Sequence, residues 1–431
     1  MSVSSLIRIW VIGCLAVVAG VLAGCEPEAE TSQAQLPYAR EYPAVAYATR
    51  VPEGRLGQLA GRIERGSALL AHQGRRGHLD SILQELEIDP SSQVLVFSRT
   101  SLQVGLIRPE NPRAIYFNDD TYVAWVPGAG SLEVASYDPE LGPVFYSVSQ
   151  DSDADPIMER ELGRCLRCHD TYSLTGGGVP RFLLGSGYTG TDGELVSHEA
   201  WILTSPATPL RSRWGGWYVT GSHGDQVHLG NIVVERAEDL QDIEALRVGN
   251  IDDLSELFDT TQYLTPLSDI AALMVLEHQV QVQNLISRLR FESAEVESAA
   301  GPGDESPALD QHVEAVVRAL LMVDSIGLTA PIVGNSGFSE QFERLGPVDS
   351  AGRSLRQLDL ETRLFRYPLS YLIYSDGFSA LPQFAREAVY ARIAEILRAG
   401  PEDDGFTSLT PMDRAAVAEI LAETLPEFPA I

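Results

Sequence analysis

The sequence predicts an α+β fold in which a β-rich N-terminal portion precedes a mainly helical portion. Between residues 94 and 148, several short runs rich in β-branched and aromatic residues alternate with a period of two, which is typical of strands. Beyond residue 237, longer segments with helical patterns dominate. The chain has 431 residues and is 44% hydrophobic, so it is long enough for two folded units and a sizeable core.

The N-terminus resembles the signal of bacterial lipoproteins. Arg8 precedes an apolar stretch over residues 9–22, and the stretch ends in Leu22-Ala23-Gly24-Cys25. The resemblance implies that residues 1–25 are a signal peptide and that Cys25 is lipidated as the first residue of the mature chain. An ordinary signal peptide cleaved nearby is the alternative. We therefore expect a cell-envelope lipoprotein that faces the periplasm, and Glu26 favours the outer membrane.

The remaining chain divides into three predicted parts. Residues 26–45 are polar and contain proline, which indicates a flexible tether. Residues 46–155 form the β-rich N-terminal region, with leading helices over 53–72 and 79–86 and then a mostly antiparallel sheet. Residues 156–431 form the mainly helical part. Its predicted elements are a helix over 156–168, glycine-rich loops over 170–235, helices over 268–294, 308–323, 381–399 and 411–425, and a linker over 296–306.

The charge balance limits the possible partners. There are 60 acidic and 31 basic residues, and the net charge of −29 would repel phosphates, which argues against a nucleic-acid partner. It favours a basic redox protein or a basic patch on a membrane complex, with plain solubility as the alternative. Every cation is arginine, so a lysine Schiff base is excluded.

Cysteine usage points to chemistry rather than to a structural disulfide. Cys14 lies in the predicted signal and Cys25 is the predicted lipidation site, which leaves Cys165 and Cys168. These two residues belong to Cys165-Leu166-Arg167-Cys168-His169, the C-x-x-C-H signature of c-type haem attachment. Two thiols one helical turn apart can add to the two vinyl groups of haem, and the adjacent imidazole can ligate iron.

The motif therefore predicts one covalent haem c, bound through Cys165 and Cys168, with His169 as the proximal iron ligand. A thioredoxin-like thiol pair is one alternative, but that motif belongs at a strand-to-helix turn of a βαβ unit. A zinc site is the other, and it would need a second pair of ligands.

The second axial ligand is predicted to be His228. It lies between apolar neighbours in a glycine-rich loop about sixty residues beyond the motif. His278, Met274, His198, His223 and an open coordination site remain as alternatives. Arginines close to the motif in sequence are candidates for pairing with haem propionates: Arg164, Arg167, Arg181, Arg211 and Arg213.

The chain resembles a group of uncharacterised exported monohaem cytochrome c-like lipoproteins. The resemblance covers most of the mature chain and rests on the C-x-x-C-H motif and the tracts 112–120, 213–221 and 363–375. It implies haem binding at Cys165, Cys168 and His169, and it carries no assigned activity. Residues 156–431 are accordingly expected to form a mainly helical, cytochrome c-like haem domain.

These expectations favour an electron carrier at the cell envelope that exchanges electrons with a redox protein or a membrane electron-transport complex. Two alternatives remain open. One is a monohaem oxidoreductase that acts on a small substrate, because some 400 mature residues exceed what one haem requires. The other is a haem-based sensor or a subunit of an electron-transport complex.

Overall fold

A seven-stranded antiparallel sheet lies at the centre of the protein. The computed structural model describes residues 39–152, 156–176, 178–197, 201–299, 307–399 and 405–430. In chain order the strands of the sheet are Val94–Val96 (β1), Arg113–Phe117 (β2), Thr121–Trp125 (β3), Ser131–Asp138 (β4), Gly142–Ser149 (β5), Met158–Arg160 (β6) and Trp217–Tyr218, the last of which is β9. Gly185–Ser186 (β7) and Ile202–Leu203 (β8) pair separately. The spatial order is β6-β5-β4-β3-β2-β1-β9.

Polar side chains close the turns between neighbouring strands. The Asn118 side chain accepts hydrogen bonds from the backbone N–H groups of Asp120 and Thr121, which fixes the β2–β3 turn. Asp138 does the same for the β4–β5 turn, where Gly142 has a φ of +66° that suits glycine. The sequence prediction of a mostly antiparallel sheet is thus confirmed, with the predicted strands over 94–148 in place.

The helices surround the sheet. They are Arg55–Glu64 (α1), Leu79–Glu85 (α2), Leu166–His169 (α3), Tyr172–Thr175 (α4), Ile270–Ala299 (α5), Pro307–Leu320 (α6), Phe338–Glu343 (α7), Asp376–Ser379 (α8), Gln383–Arg398 (α9) and Pro411–Thr424 (α10). The 30-residue α5 packs against β5 and α6, and α9 packs against α6 and α10. The α5 helix starts where the Asp269 side chain accepts the N–H groups of Ala271 and Ala272.

The prediction of a mainly helical, cytochrome c-like haem domain over 156–431 is wrong. The structure is α+β with 36% helix and 14% strand, and two strands of the predicted helical part, β6 and β9, belong to the central sheet. The helix predicted over 156–168 is replaced by β6 and the four-residue α3. Met158 and Arg160 pair with Val148 and Tyr146 of β5, so sheet pairing overrides the local helical pattern.

The structure describes the predicted tether only from residue 39 onward. Residues 1–38, with the predicted signal peptide and Cys25, lie outside the described residues, as do His198 and residues 300–306 of the predicted linker. Within the predicted tether, the Arg40 N–H donates to the carbonyl of Gly178, and Val45 is buried. Across the described ranges, none of the helices combines the length and the apolar character needed to cross a membrane.

Candidate haem-attachment site

The C-x-x-C-H motif follows the edge strand β6 and forms the short helix α3. Cys165 is half-buried against the hydrophobic core, Cys168 is exposed, and both thiols are free. The N–H groups of Cys168 and His169 both donate to the Cys165 carbonyl, at 3.2 and 3.0 Å. This single turn places the two thiols and the imidazole on one short, locally hydrogen-bonded element.

The His169 imidazole is held in one tautomer by a backbone carbonyl. Its Nδ1 lies 2.7 Å from the carbonyl oxygen of Arg181, so Nδ1 carries the proton and Nε2 keeps its lone pair. Nε2 has no hydrogen-bond partner among the described residues. The ring packs against Phe145 of β5, with 4.4 Å between ring centroids. Burial lowers the pKa of His169 to about 4, which keeps the ring neutral and able to ligate a metal at neutral pH.

The carbonyl that orients His169 is itself fixed by α5. Arg181 N–H donates back to the His169 carbonyl at 2.9 Å. The next residue, Phe182, is clamped by Asn284 of α5, which accepts from its N–H at 2.8 Å and donates to its carbonyl at 2.9 Å. The orientation of the imidazole therefore depends on a contact between residues more than a hundred positions apart.

A partly exposed strip of the sheet, which we call the sheet shelf, adjoins the motif. It consists of the half-buried side chains of Arg113, Ile115, Ala124, Glu133, Ala135 and Ser147, on neighbouring strands of one face. The alternate residues of the same strands, such as Ala114, Val123 and Val134, are fully buried. The shelf is thus a shallow surface on an otherwise buried sheet, and three of its six side chains, those of Ala124, Ala135 and Ser147, are small.

Electrostatic interactions show that the shelf lies close to the motif. Arg113 and Glu133 form an ion pair across Ala124, with 3.2 Å between nitrogen and oxygen. Burial, together with the nearby carboxylates of Glu161 and Glu133, raises the pKa of the Cys165 thiol to about 12. The positive charge of Arg113 adds to the lowering of the His169 pKa. Sequence reasoning missed this ion pair because its two residues are twenty positions apart and join only through the sheet register.

This arrangement fits a covalently attached haem. Two free thiols and an imidazole with an available Nε2 lie beside a surface with small side chains, and these are the protein groups that c-type attachment uses. In the described ranges, no three His, Cys, Asp or Glu side chains cluster in a way that would bind a bare metal ion. A haem needs no such cluster, because the porphyrin supplies four of the iron ligands.

His228 lies in a different part of the molecule. The Asn231 N–H of its loop donates to the Trp217 carbonyl of β9 at 2.8 Å, whereas His169 contacts β5. These two strands are five spacings apart in the sheet, about 24 Å. His228 packs against Trp214 and His223, with ring centroids 5.3 and 4.5 Å away.

The hydrogen bond of His228 also runs in the opposite direction from that of His169. Its Nδ1 accepts from the Gly230 N–H at 3.0 Å, so the proton of the neutral ring lies on Nε2. Burial lowers the pKa of His228 to about 3. Ligation of iron through Nε2 would require the ring to exchange tautomers and lose the Gly230 bond. The assignment of His228 as second axial ligand is untested, and its tautomer and its location beside β9 argue against it.

Of the alternative ligands and the nearby arginines, His278 and Arg213 have buried partners of their own. His278 is buried, and its Nε2 is 2.8 Å from the hydroxyl of Ser370. Met274 is buried beside a small cavity of about 280 Å³. Arg213 forms a fully buried ion pair with Glu277 at 2.7 Å, which gives this arginine a structural role.

Comparisons with known proteins found no match for the chain. No protein-family model, curated protein or solved structure matches it. The structure therefore shows an α+β architecture in which a C-x-x-C-H motif lies beside β6, the edge strand of a seven-stranded antiparallel sheet.

Proposed function

We propose that this chain is a c-type cytochrome that carries one covalent haem on Cys165, Cys168 and His169 and transfers electrons at the cell envelope. The observation that carries the proposal is the tautomer of His169, whose Nε2 lone pair is left available beside two free thiols and the sheet shelf. The resemblance to exported monohaem cytochrome c-like lipoproteins supports it.

The residues of the site would have distinct roles. Cys165 and Cys168 would form the thioethers, and His169 would ligate the iron through Nε2 while the Arg181 carbonyl holds the ring in place. The sheet shelf would limit access of water from one side. Bound haem iron would supply the ferrous–ferric couple. The acidic surface would favour a basic redox partner, and lipid on Cys25 would keep the protein at the membrane.

Spectra of the full mature chain, expressed together with a c-type haem-maturation system, test the redox role. A low-spin ferric spectrum and rapid, reversible reduction by small reductants are expected for an electron carrier. A high-spin spectrum that shifts with cyanide would instead favour a sensor or an enzyme.

A substitution that fills the sheet shelf tests the location of the haem. Ala124→Trp places a large ring at the centre of the shelf, and we expect it to lower the haem-loaded fraction severalfold. Ala60→Trp, at a similarly half-buried position on α1, is the matched control. Equal loading of both variants, with thermal unfolding showing that each is folded, would place the haem elsewhere.

A monohaem oxidoreductase acting on a small substrate is the second candidate function. It is favoured by a cleft of about 800 Å³ that is lined by Gln279, Gln283 and Ile286 of α5 and has the size of a ligand pocket. Reduction of the ferric protein by an added organic substrate, without a protein partner, would support this function over electron transfer alone.

A further inference from the structure

The cleft lies at the end of the sheet opposite the sheet shelf. It is bounded by the β2–β3 turn at Asn118–Asp120, the start of α1, the middle of α5 and the segments around α7 and α8. Its volume of about 800 Å³ would accommodate a small organic molecule with several functional groups. Two of the tracts that carry the family resemblance, 112–120 and 363–375, meet here.

One wall of the cleft is a buried network of amides and phenols. Gln279 of α5 accepts from the Tyr371 hydroxyl at 2.5 Å and donates to the Tyr122 hydroxyl at 2.7 Å. Gln283, one turn further along α5, accepts from the Tyr122 hydroxyl and donates to the Asp119 carbonyl at 2.8 Å. These side chains satisfy one another, so the wall is rigid before any ligand binds.

Arg356 differs from this network because one of its hydrogen-bond donors has no partner. It is 4% exposed, and its guanidinium lies 4.2 Å from the ring centroid of Tyr371 and 4.6 Å from that of Phe342, both of which line the cleft. Its Nη2 pairs with Asp119, but its Nη1 is buried and has no hydrogen-bond partner. A buried donor of this kind costs free energy unless an acceptor meets it, which points to a ligand oxygen.

The remaining charges of the cleft are mostly negative. Six carboxylates line it, among them Asp119, Asp120 and Asp376, against two arginines, Arg55 and Arg356. Burial raises the pKa of Asp120, and the neighbouring charges of Asp119 and Asp376 raise it further. An anionic ligand would be repelled by this excess of carboxylates. Arg356 already occupies the faces of Tyr371 and Phe342, and an ammonium group has no acceptor to offer Arg356 Nη1.

We propose that the cleft binds a neutral, polyhydroxylated organic molecule of mono- or disaccharide size. Hydroxyl groups can donate to the carboxylates and accept from Arg356 Nη1, which neither an ammonium nor a carboxylate group can do alone. The aromatic side chains Phe117, Tyr137 and Tyr374 supply apolar surface for the ring carbons.

Aromatic contacts connect this cleft with the haem-attachment motif. Tyr122 packs on Phe182 at 4.7 Å, Phe182 on Phe145 at 6.1 Å, and Phe145 on His169 at 4.4 Å between ring centroids. Any influence of the ligand on the haem rests on the proposed function, whereas binding in the cleft does not.

Ligand-observed NMR on the full mature protein tests the proposal with glucose and cellobiose as neutral probes, glucosamine as the cationic probe and glucuronate as the anionic probe. We expect saturation transfer to a neutral probe. The Cys165→Ala/Cys168→Ala variant, which cannot carry covalent haem, is expected to bind equally, so failure of the haem assignment leaves this result intact.

Variants locate the binding. Arg356→Lys is expected to weaken it at least about tenfold, through loss of a charged hydrogen bond. Arg414→Lys is the matched control, because Arg414 is equally buried but donates from all three guanidinium nitrogens to backbone carbonyls outside the cleft. Leu345→Trp, at an exposed position of the lining, is expected to block the cleft without disturbing the core.

Three outcomes would overturn the proposal. They are binding of neither neutral probe, preference for glucosamine or glucuronate over both neutral probes, and neutral binding that survives in folded Leu345→Trp protein.

Discussion

His169, which is half-buried, and His228, which is buried, have hydrogen bonds of opposite direction. The Nδ1 of His169 donates to the carbonyl of Arg181, which leaves a lone pair on Nε2. The Nδ1 of His228 accepts from Gly230, which places the proton on Nε2. Burial lowers the pKa of both rings and makes both neutral, so it does not distinguish them. The partner of the second nitrogen decides which ring is prepared to ligate a metal.

Removal of each imidazole gives the largest expected difference. His169→Ala removes the proposed iron ligand of the motif, and we expect loss of the native haem spectrum and of reversible reduction. His228→Ala is expected to leave the spectrum unchanged, because the ring neither lies near the motif nor offers a lone pair on Nε2. Absorption spectra of the two purified variants measure this. A high-spin spectrum in His228→Ala would instead establish His228 as the second axial ligand.

The buried ion pair of Arg213 and Glu277 gives the next largest expected effect, on the free energy of unfolding. Arg213→Met leaves Glu277 buried without its partner, which costs about 3–5 kcal/mol of unfolding free energy. Arg213→Met/Glu277→Leu is expected to recover most of that loss, since no charge stays buried. Arg236→Met, in an exposed ion pair, should change the value by less than about 1 kcal/mol. Urea unfolding gives all three. A small loss in Arg213→Met alone would show that Glu277 reaches solvent.

The clamp behind His169 is expected to have a smaller effect. Asn284→Ala leaves two backbone groups of Phe182 without partners, at a cost of about 2–3 kcal/mol. It should also shift the reduction potential, because the Arg181 carbonyl that orients His169 loses its support. Asn284→Asp keeps the acceptor for the Phe182 N–H and should restore part of both. An unchanged potential in Asn284→Ala would separate the clamp from the imidazole.

The pH dependence of stability gives the smallest effect and separates the two rings again. In the folded protein the pKa is lowered to about 4 for His169 and to about 3 for His228. Below pH 6.5 the unfolded chain therefore binds more protons than the folded protein, and the free energy of unfolding decreases as the pH falls. Each ring accounts for about 2 kcal/mol between pH 7 and pH 5.

Substitutions show which ring contributes under which condition. We expect His228→Asn to flatten the pH profile by this amount with or without haem. His169→Asn should flatten it only in the haem-free Cys165→Ala/Cys168→Ala background, because a haem held by two thioethers keeps the imidazole ligated in the unfolded chain too, and then neither state takes up a proton. Urea unfolding at the two pH values measures this, and a contribution of His169 in loaded protein would argue against a haem–imidazole bond that persists in the unfolded chain.

The sequence predicted local features well and distant ones poorly. The alternating strands over 94–148 and the C-x-x-C-H spacing depend on neighbouring residues, so both can be predicted without knowledge of the fold. The pairing of β9 with β1 joins residues about 120 positions apart, and no local sequence pattern predicts it. Residues 156–168 were expected to form a helix from their local pattern, yet pairing with β5 makes Met158–Arg160 a strand.

The same distinction applies to the site. The residue types of the motif identify Cys165, Cys168 and His169 as candidates from spacing alone. Spacing alone cannot predict the features that prepare these residues. The Arg181 carbonyl, the Asn284 clamp and the Arg113–Glu133 pair all arise from tertiary contacts. His228 was favoured for its apolar neighbours, a pattern that indicates burial but says nothing about which nitrogen carries the proton.

The intact mass of the mature protein, purified after expression with a c-type maturation system, tests the central claim most directly. We predict a mass increased by one haem that persists under denaturing conditions and disappears in Cys165→Ala/Cys168→Ala. An unmodified mass in colourless, folded protein would contradict the assignment of the motif as a haem site.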